Sequence, residues 1–152
     1  MTAAEDQEQI RASAQQTFKD HLNHLSSGQI DDWIKLWAED GILEFPFKLP
    51  IYPDKLEGRQ KIREYMRHFP DTLTVAFSEP SFHRTEDPTL VIAEFTAKGK
   101  MIASGRPYNQ TYISVVYTKN GKITRYKDFW DPLVALNALG EGNNYKGATA
   151  TL

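Results

Sequence analysis

The chain has 152 residues, no cysteine, and 18 basic against 20 acidic side chains, a formal net charge of −2. That length supports one domain with its own core, and the lack of thiols excludes disulfides, a cysteine nucleophile and zinc–thiolate sites. With charge so balanced and no basic run, nucleic acid is not an expected partner, and no apolar run reaches the roughly 20 residues that span a bilayer.

The polar, acidic start of the chain has neither the basic residues nor the apolar stretch of an export signal, so a cytoplasmic protein without membrane contact is expected. Ile10, Ala14, Phe18, Leu22 and Leu25 recur at helical spacing and predict a first helix over residues 4–25, stopped by Ser26-Ser27-Gly28. His21 and His24, three apart on that helix, are expected in surface or structural roles rather than on a metal. A second helix is predicted over 30–38, with Asp31 and Asp32 near its start, an apolar surface that includes Trp33 and Trp37, and Gly41 ending it.

A short strand over 42–45 then runs into a proline-bearing loop, 46–53, which suits the lip of a pocket better than a sheet interior. The third helix is expected over 59–68, with Ile62, Tyr65, Met66 and Phe69 on one side and Pro70-Asp71 closing it. Four β-rich runs follow, at 73–83, 90–101, 107–119 and 122–130, the last two joined by the hairpin dipeptide Asn120-Gly121. Asp131 and Pro132 have the chemistry of an N-cap and a first helical position, opening a helix over 133–139 that Gly140 ends; residues 141–152 read as a loose tail. Helices first and strands afterwards predict a single α+β domain over 1–152. Three N-terminal helices would cover the concave face of a curved, mixed or antiparallel sheet, a cone-shaped barrel with one open end for a small molecule.

Strand alternation puts Thr124, Tyr126, Asp128 and Trp130 on one face and Ile123, Arg125, Lys127 and Phe129 on the other. An acid with aromatic residues two before and two after it is a candidate general acid/base, because burial between aromatic walls raises a carboxylate pKa. The competing reading makes Asp128 half of a buried ion pair with Arg106 or Arg63. Tyr108, Gln110 and Tyr112 share a face of the preceding strand and offer hydrogen-bond donors to a carbonyl or enolate oxygen. Trp33, Trp37, Tyr65, Met66 and Phe69 are expected in the core or the pocket lining, and His83 is a secondary candidate for carrying a proton.

The order of elements resembles the nuclear transport factor 2-like superfamily, which includes ketosteroid isomerases, SnoaL-like polyketide cyclases and the phenazine-biosynthesis A/B proteins. The resemblance is carried by Trp33 to Gly41 leading into the first strand, Leu56-Glu57-Gly58-Arg59 opening the third helix, and Phe69-Pro70-Asp71 after it. Most specific is Lys127-Asp128-Phe129-Trp130-Asp131-Pro132-Leu133 followed by Leu136 to Gly140, which is similar to the end of the phenazine A/B proteins. By that likeness the phenazine catalytic acid falls on Asp128, the polyketide cyclase aspartate on Asp131, and the ketosteroid isomerase base roughly on Glu44. The third helix departs from the phenazine pattern: it is shorter, and its histidine is replaced near Tyr65. The resemblance implies acid/base chemistry next to a carbonyl or imine of a ring-containing or polyketide-like molecule, with no metal or organic cofactor. It also implies a homodimer through the face that bears Ile113, Tyr117, Arg125, Lys127 and Phe129. The alternative is a binding or interaction module of the same fold.

Overall fold

The computed structural model of the chain describes residues 2–140; the tail expected over 141–152 lies outside the described residues. The first helix, α1 (Ala3–Ser26), starts at a capping box in which Thr2 Oγ1 accepts from the Glu5 amide and the Glu5 carboxylate accepts from the Thr2 amide. Its buried stripe is Ala14, Phe18, His21, Leu22 and Leu25, with Arg11 and Thr17 at the flanks. Of the two roles expected for the histidines, His21 takes the structural one and points inward, while His24 is partly exposed.

The helix expected over 30–38 is a single turn, α2 (Ile30–Trp33), continued by a 3-10 turn (Ile34–Leu36), and Trp37 already belongs to β1 (Trp37–Glu44). Gly41 therefore lies inside a strand, where a Cβ would stand 2.9 Å from the Trp37 ring. Sheet pairing overrides helix propensity here, since β1 is clasped between β2 (Lys55–Glu57), antiparallel to it, and β7 (Lys122–Trp130), parallel to it. β2 has only three residues, Lys55-Leu56-Glu57, too short a run for its alternation to announce a strand in the sequence.

α3 (Arg59–Met66) ends two residues before its expected limit, and Pro70 opens a further turn, α4 (Phe69–Thr72), instead of closing α3. The run over 73–83 is split into β3 (Leu73–Phe77) and β4 (Ser81–His83). Both pair antiparallel with β5 (Leu90–Met101), the register slipping by one residue between Phe77–Ala97 and Ser81–Glu94, where Pro80 has no N–H for a ladder. β6 (Gln110–Lys119) starts three residues late, because Pro107 makes only an isolated bridge to Lys100. β5 and β7 span the residues expected. Asn120 and Gly121 both have positive φ, 51° and 75°, as a two-residue hairpin turn matched to strand twist requires. α5 (Pro132–Leu139) follows β7.

The strands form one curved, mixed sheet in the order β2-β1-β7-β6-β5-β3, with β4 beside β5; it is not closed into a barrel. α1 packs across β3, β5 and β7, while α3 packs on β1 and β2, so the core lies between the helices and one face of the sheet. β3 and β5 approach so closely at Gly99 that a Cβ there would meet the Thr74 carbonyl oxygen at 1.8 Å. No helix among the described residues is long and apolar enough to cross a membrane.

Candidate active site

β7 supplies the centre of the site. Its pairing with β6 shifts by one residue between Tyr117–Arg125 and Thr118–Ile123, so Thr124 is the bulged residue. Strict alternation therefore fails at one end of the strand: Ile123, expected on the outer face, is fully buried, while Thr124 is partly exposed. From Tyr126 onward the alternation holds, and Tyr126, Asp128 and Trp130 point into the concave side, opposite Val116, Ser114 and Tyr112 of β6.

Two adjoining cavities open on this face. The outer one, about 320 Å³, is walled by Tyr52, Tyr65, Tyr108 and Trp130 among others. The inner one, about 60 Å³, lies deeper, against His21, Trp33, Trp37 and Tyr126. Phe45, Met66, Phe69, Tyr112 and Asp128 line both and form the waist between them. The loop over 46–53 contributes Tyr52, whose ring stands edge-on to Trp130 at 5.5 Å, so it does border the pocket. The cone is not filled by its own aromatic side chains.

At the waist, Asp128 has no cationic neighbour in pairing distance among the described residues, and its Oδ1 is sealed from solvent without a hydrogen-bond partner. The ion-pair reading fails on position: Arg63 pairs with Asp31 at 2.6 Å, and Arg106 donates to the Asn137 carbonyl. Burial without a compensating charge pushes the Asp128 carboxyl up to about 7. Tyr108 and Tyr112 hydrogen-bond to each other at 3.0 Å. Burial holds both phenols in the protonated form, pushing Tyr108 up to about 12 and Tyr112 well above the usual phenol range. Only one of their two hydroxyl protons is used between them, which leaves one for a ligand oxygen.

A second polar cluster, which the sequence did not reveal, underlies the inner cavity. The Trp33 indole N–H donates to His21 Nδ1 at 2.8 Å, and His21 Nε2 meets the Tyr126 hydroxyl at 3.0 Å. Because an indole N–H can only donate, Nδ1 must be the acceptor, and the neutral ring carries its proton on Nε2, toward Tyr126. Tyr126 in turn shares a 2.6 Å hydrogen bond with Ser114. Burial drives the His21 pKa down to about 3, with His24 adding a smaller repulsion, so the imidazole stays neutral. The one sequence signal for His21 was its place in the apolar stripe of α1.

Two expected site residues stand elsewhere. The Gln110 side chain is consumed by backbone: its Nε2 donates to the Asp131 carbonyl, and its Oε1 accepts from the Asp131 and Thr111 amides. It fastens β6 to the start of α5 and lines neither cavity. His83 sits at the exposed end of β4, paired with Glu94 and remote from both cavities. Trp33 and Trp37 line the inner cavity, and Tyr65, Met66 and Phe69 the outer one or the waist. Of the other acids, Asp131 caps α5 by accepting from the Leu133 amide at 2.9 Å, and Glu44 pairs with Arg125. Among the described residues no group of three or more His, Asp or Glu side chains stands together as a metal site would require.

Compared with known proteins, residues 18–126 match the SnoaL-like domain. An uncharacterized PhzA/B-like protein of Pseudomonas aeruginosa is 44% identical over 119 residues, covering 78% of this chain and 84% of its own. The crystal structure of a Bacillus subtilis protein provisionally named an isomerase superposes with a TM-score of 0.84 at 35% identity, covering 86% of this chain and 95% of its own. A phenazine biosynthesis-related protein from Pseudomonas aeruginosa shares the fold, with a TM-score of 0.76 at 20% identity over 90% of this chain and 91% of its own.

Proposed function

Since this chain belongs to the SnoaL-like domain family, we propose that it is an acid–base enzyme that moves a proton on carbon next to a carbonyl or imine of a ring-containing small molecule. The observation that carries this reading is the unpaired Asp128 carboxyl at the waist of an aromatic-walled cavity. An acid whose pKa lies near 7 is present in both protonation states at neutral pH, which suits it to take a proton and return it. Asp128 removes the proton from the carbon beside the carbonyl, the C–H electron pair moves onto the carbonyl oxygen, and the free hydroxyl proton of the Tyr108–Tyr112 pair hydrogen-bonds to the enolate so formed. Asp128 then returns the proton to the same or a conjugated carbon. The outer cavity, at about 320 Å³, lies at the lower end of small-molecule site volumes and suits a molecule of two or three rings.

The test is proton exchange. Cyclic ketones incubated with the protein in D2O should gain deuterium beside the carbonyl, followed by NMR, at a rate that Asp128→Asn lowers by at least ~100-fold. Exchange unaffected by that substitution would remove Asp128 from the reaction, and binding with no exchange would make this a binding module. A homodimer through the outer sheet face is part of the proposal. It is supported by Ile113, 44% exposed, lying directly across from Phe129, which also meets Phe47 edge-on at 5.4 Å. Sedimentation of the wild type and of Ile113→Lys checks it: the first should run as a dimer and the second should dissociate.

A further inference from the structure

Four rings bound the outer cavity from different directions. Phe45 stands against Tyr65 at 5.8 Å and 44° and against Trp130 at 6.3 Å and 60°, and Tyr52 meets Trp130 edge-on at 5.5 Å. All four line the cavity and none is sealed: Tyr52 and Tyr65 are half-buried, and Trp130 keeps 9% of its surface. The charge in that space has one sign. Among the described residues no lysine or arginine lines either cavity, and Asp128 is the one acid that does. Only one of its two carboxyl oxygens is sealed, which leaves the other open to the cavity. Its charge reaches across: after burial and the neighbouring Tyr52 and Tyr108, it is Asp128 that raises the Tyr65 phenol above the usual range. His68, at the exposed rim, brings no positive charge, because Arg67 Nε can only donate and takes His68 Nε2 as an acceptor at 3.1 Å. An anion here would face Asp128 with no cation to offset it, and a neutral group would leave the carboxyl unpaired. A primary ammonium would need acceptors for three N–H groups, and the Tyr108 and Tyr112 hydroxyls are already joined. An alkylated ammonium needs few acceptors or none, and the ring faces attract it.

We propose that the outer cavity is an aromatic cage for a positively charged, alkylated nitrogen, held by Phe45, Tyr52, Tyr65 and Trp130 and by the Asp128 carboxylate at the waist. The substrate is then a cyclic keto-amine, with its reacting carbonyl at the waist and its cationic nitrogen in the outer cavity. A cation bound there favours the ionised form of Asp128, the form that takes a proton from carbon. This rests on the reading of the waist as the reacting centre, and it adds the class of molecule that occupies the site.

A matched series of 1-tetralones tests it, carrying at ring position 6 a trimethylammoniomethyl group, the neutral neopentyl group of the same shape, or a carboxymethyl group. Calorimetry at one fixed pH should place the ammonium compound at least ~10-fold tighter than the neopentyl one, the span of one or two cation–ring contacts, and the carboxylate weakest. Tyr52→Leu, which removes one ring from the cage, should shrink the preference for ammonium over neopentyl by ~3-fold or more. Should that variant fail to fold, the wild type still decides by NMR, since ring currents should move the ammonium methyl resonance upfield in the complex. An unmoved methyl resonance overturns the cage, as does neopentyl binding as tightly as ammonium, tightest binding of the carboxylate, or an unchanged preference in folded Tyr52→Leu. If none of the three binds while proton exchange on cyclic ketones still depends on Asp128, the cage falls and the catalytic reading stands. If the ranking holds without any exchange, the catalytic reading falls and the cage stands.

Discussion

Asp128 and His21 pull the pH dependence of stability in opposite directions, and replacing either should expose the other. Asp128 has a pKa of 3.8 when unfolded and about 7 in the fold, so between those values the native state holds a proton that the unfolded chain has lost. Stability from this group is fully present below about pH 4 and lost as pH rises through about 7. His21 goes from 6.5 to about 3 on folding, so between those values the unfolded chain binds a proton that the native state refuses. Its contribution is fully present above about 6.5 and is lost as pH falls through about 3. Each slope is about 1.4 kcal/mol per pH unit, and the two nearly cancel between pH 4 and 6.5. Asp128→Asn removes one of them. Relative to wild type, this variant should gain nothing at pH 4 and ~2–4 kcal/mol at pH 8, the lower figure allowing for water in the outer cavity. His21→Gln can still accept from Trp33 and donate to Tyr126, and should show the reverse trend, losing ground against wild type as pH rises from 4 to 7. Urea unfolding at half-unit pH steps measures both, and taking differences from wild type cancels the surface carboxylates. A difference between Asp128→Asn and wild type that stays constant from pH 4 to 8 would show that Asp128 titrates normally in the fold, and the basis for its acid–base role would be gone.

Gly99→Ala should destabilise the protein by ~2–4 kcal/mol in urea unfolding, because the added methyl meets a backbone oxygen of β3 that cannot turn away; full stability would mean that β3 and β5 are not this close. Asp131→Ala should cost about 1 kcal/mol through the lost cap of α5, and Asp131→Asn only a few tenths, both measured as shifts in Tm with proton exchange retained; loss of exchange would move the functional acid to Asp131. Trp33→Phe should cost ~1–3 kcal/mol and release His21 Nδ1, seen by NMR as a change in the ring nitrogen shifts; unchanged shifts would refute the assigned tautomer.

Where local chemistry settled structure, the sequence was legible. The hairpin turn at Asn120-Gly121, the alternation of β7 from Tyr126 onward and the cap of α5 follow from interactions within a few residues and lie where they were expected, as does the α1 stripe from Ala14 to Leu25, although Ile10 at its start is exposed. The site was partly legible for the same reason: Tyr126, Asp128 and Trp130 share a face because they share an uninterrupted stretch of one strand. Readings that needed a partner distant in the chain failed. Trp37 looked helical, and its strand exists because β7, more than 80 residues away, runs parallel beside it. Gln110 looked like a ligand donor until the Asp131 backbone claimed its amide.

The sequence by itself determined an α+β domain and an acid set between aromatic side chains on its last strand. It left open whether that acid is paired, because an ion pair depends on where arginines far along the chain come to rest, and the fold sends Arg63 to Asp31 and Arg106 to the end of α5. The neutral His21 and the waist between two cavities were likewise decided only when α1, β1 and β7 came together. Burial and hydrogen-bond satisfaction are properties of a side chain's surroundings, and those surroundings are drawn from every part of the chain.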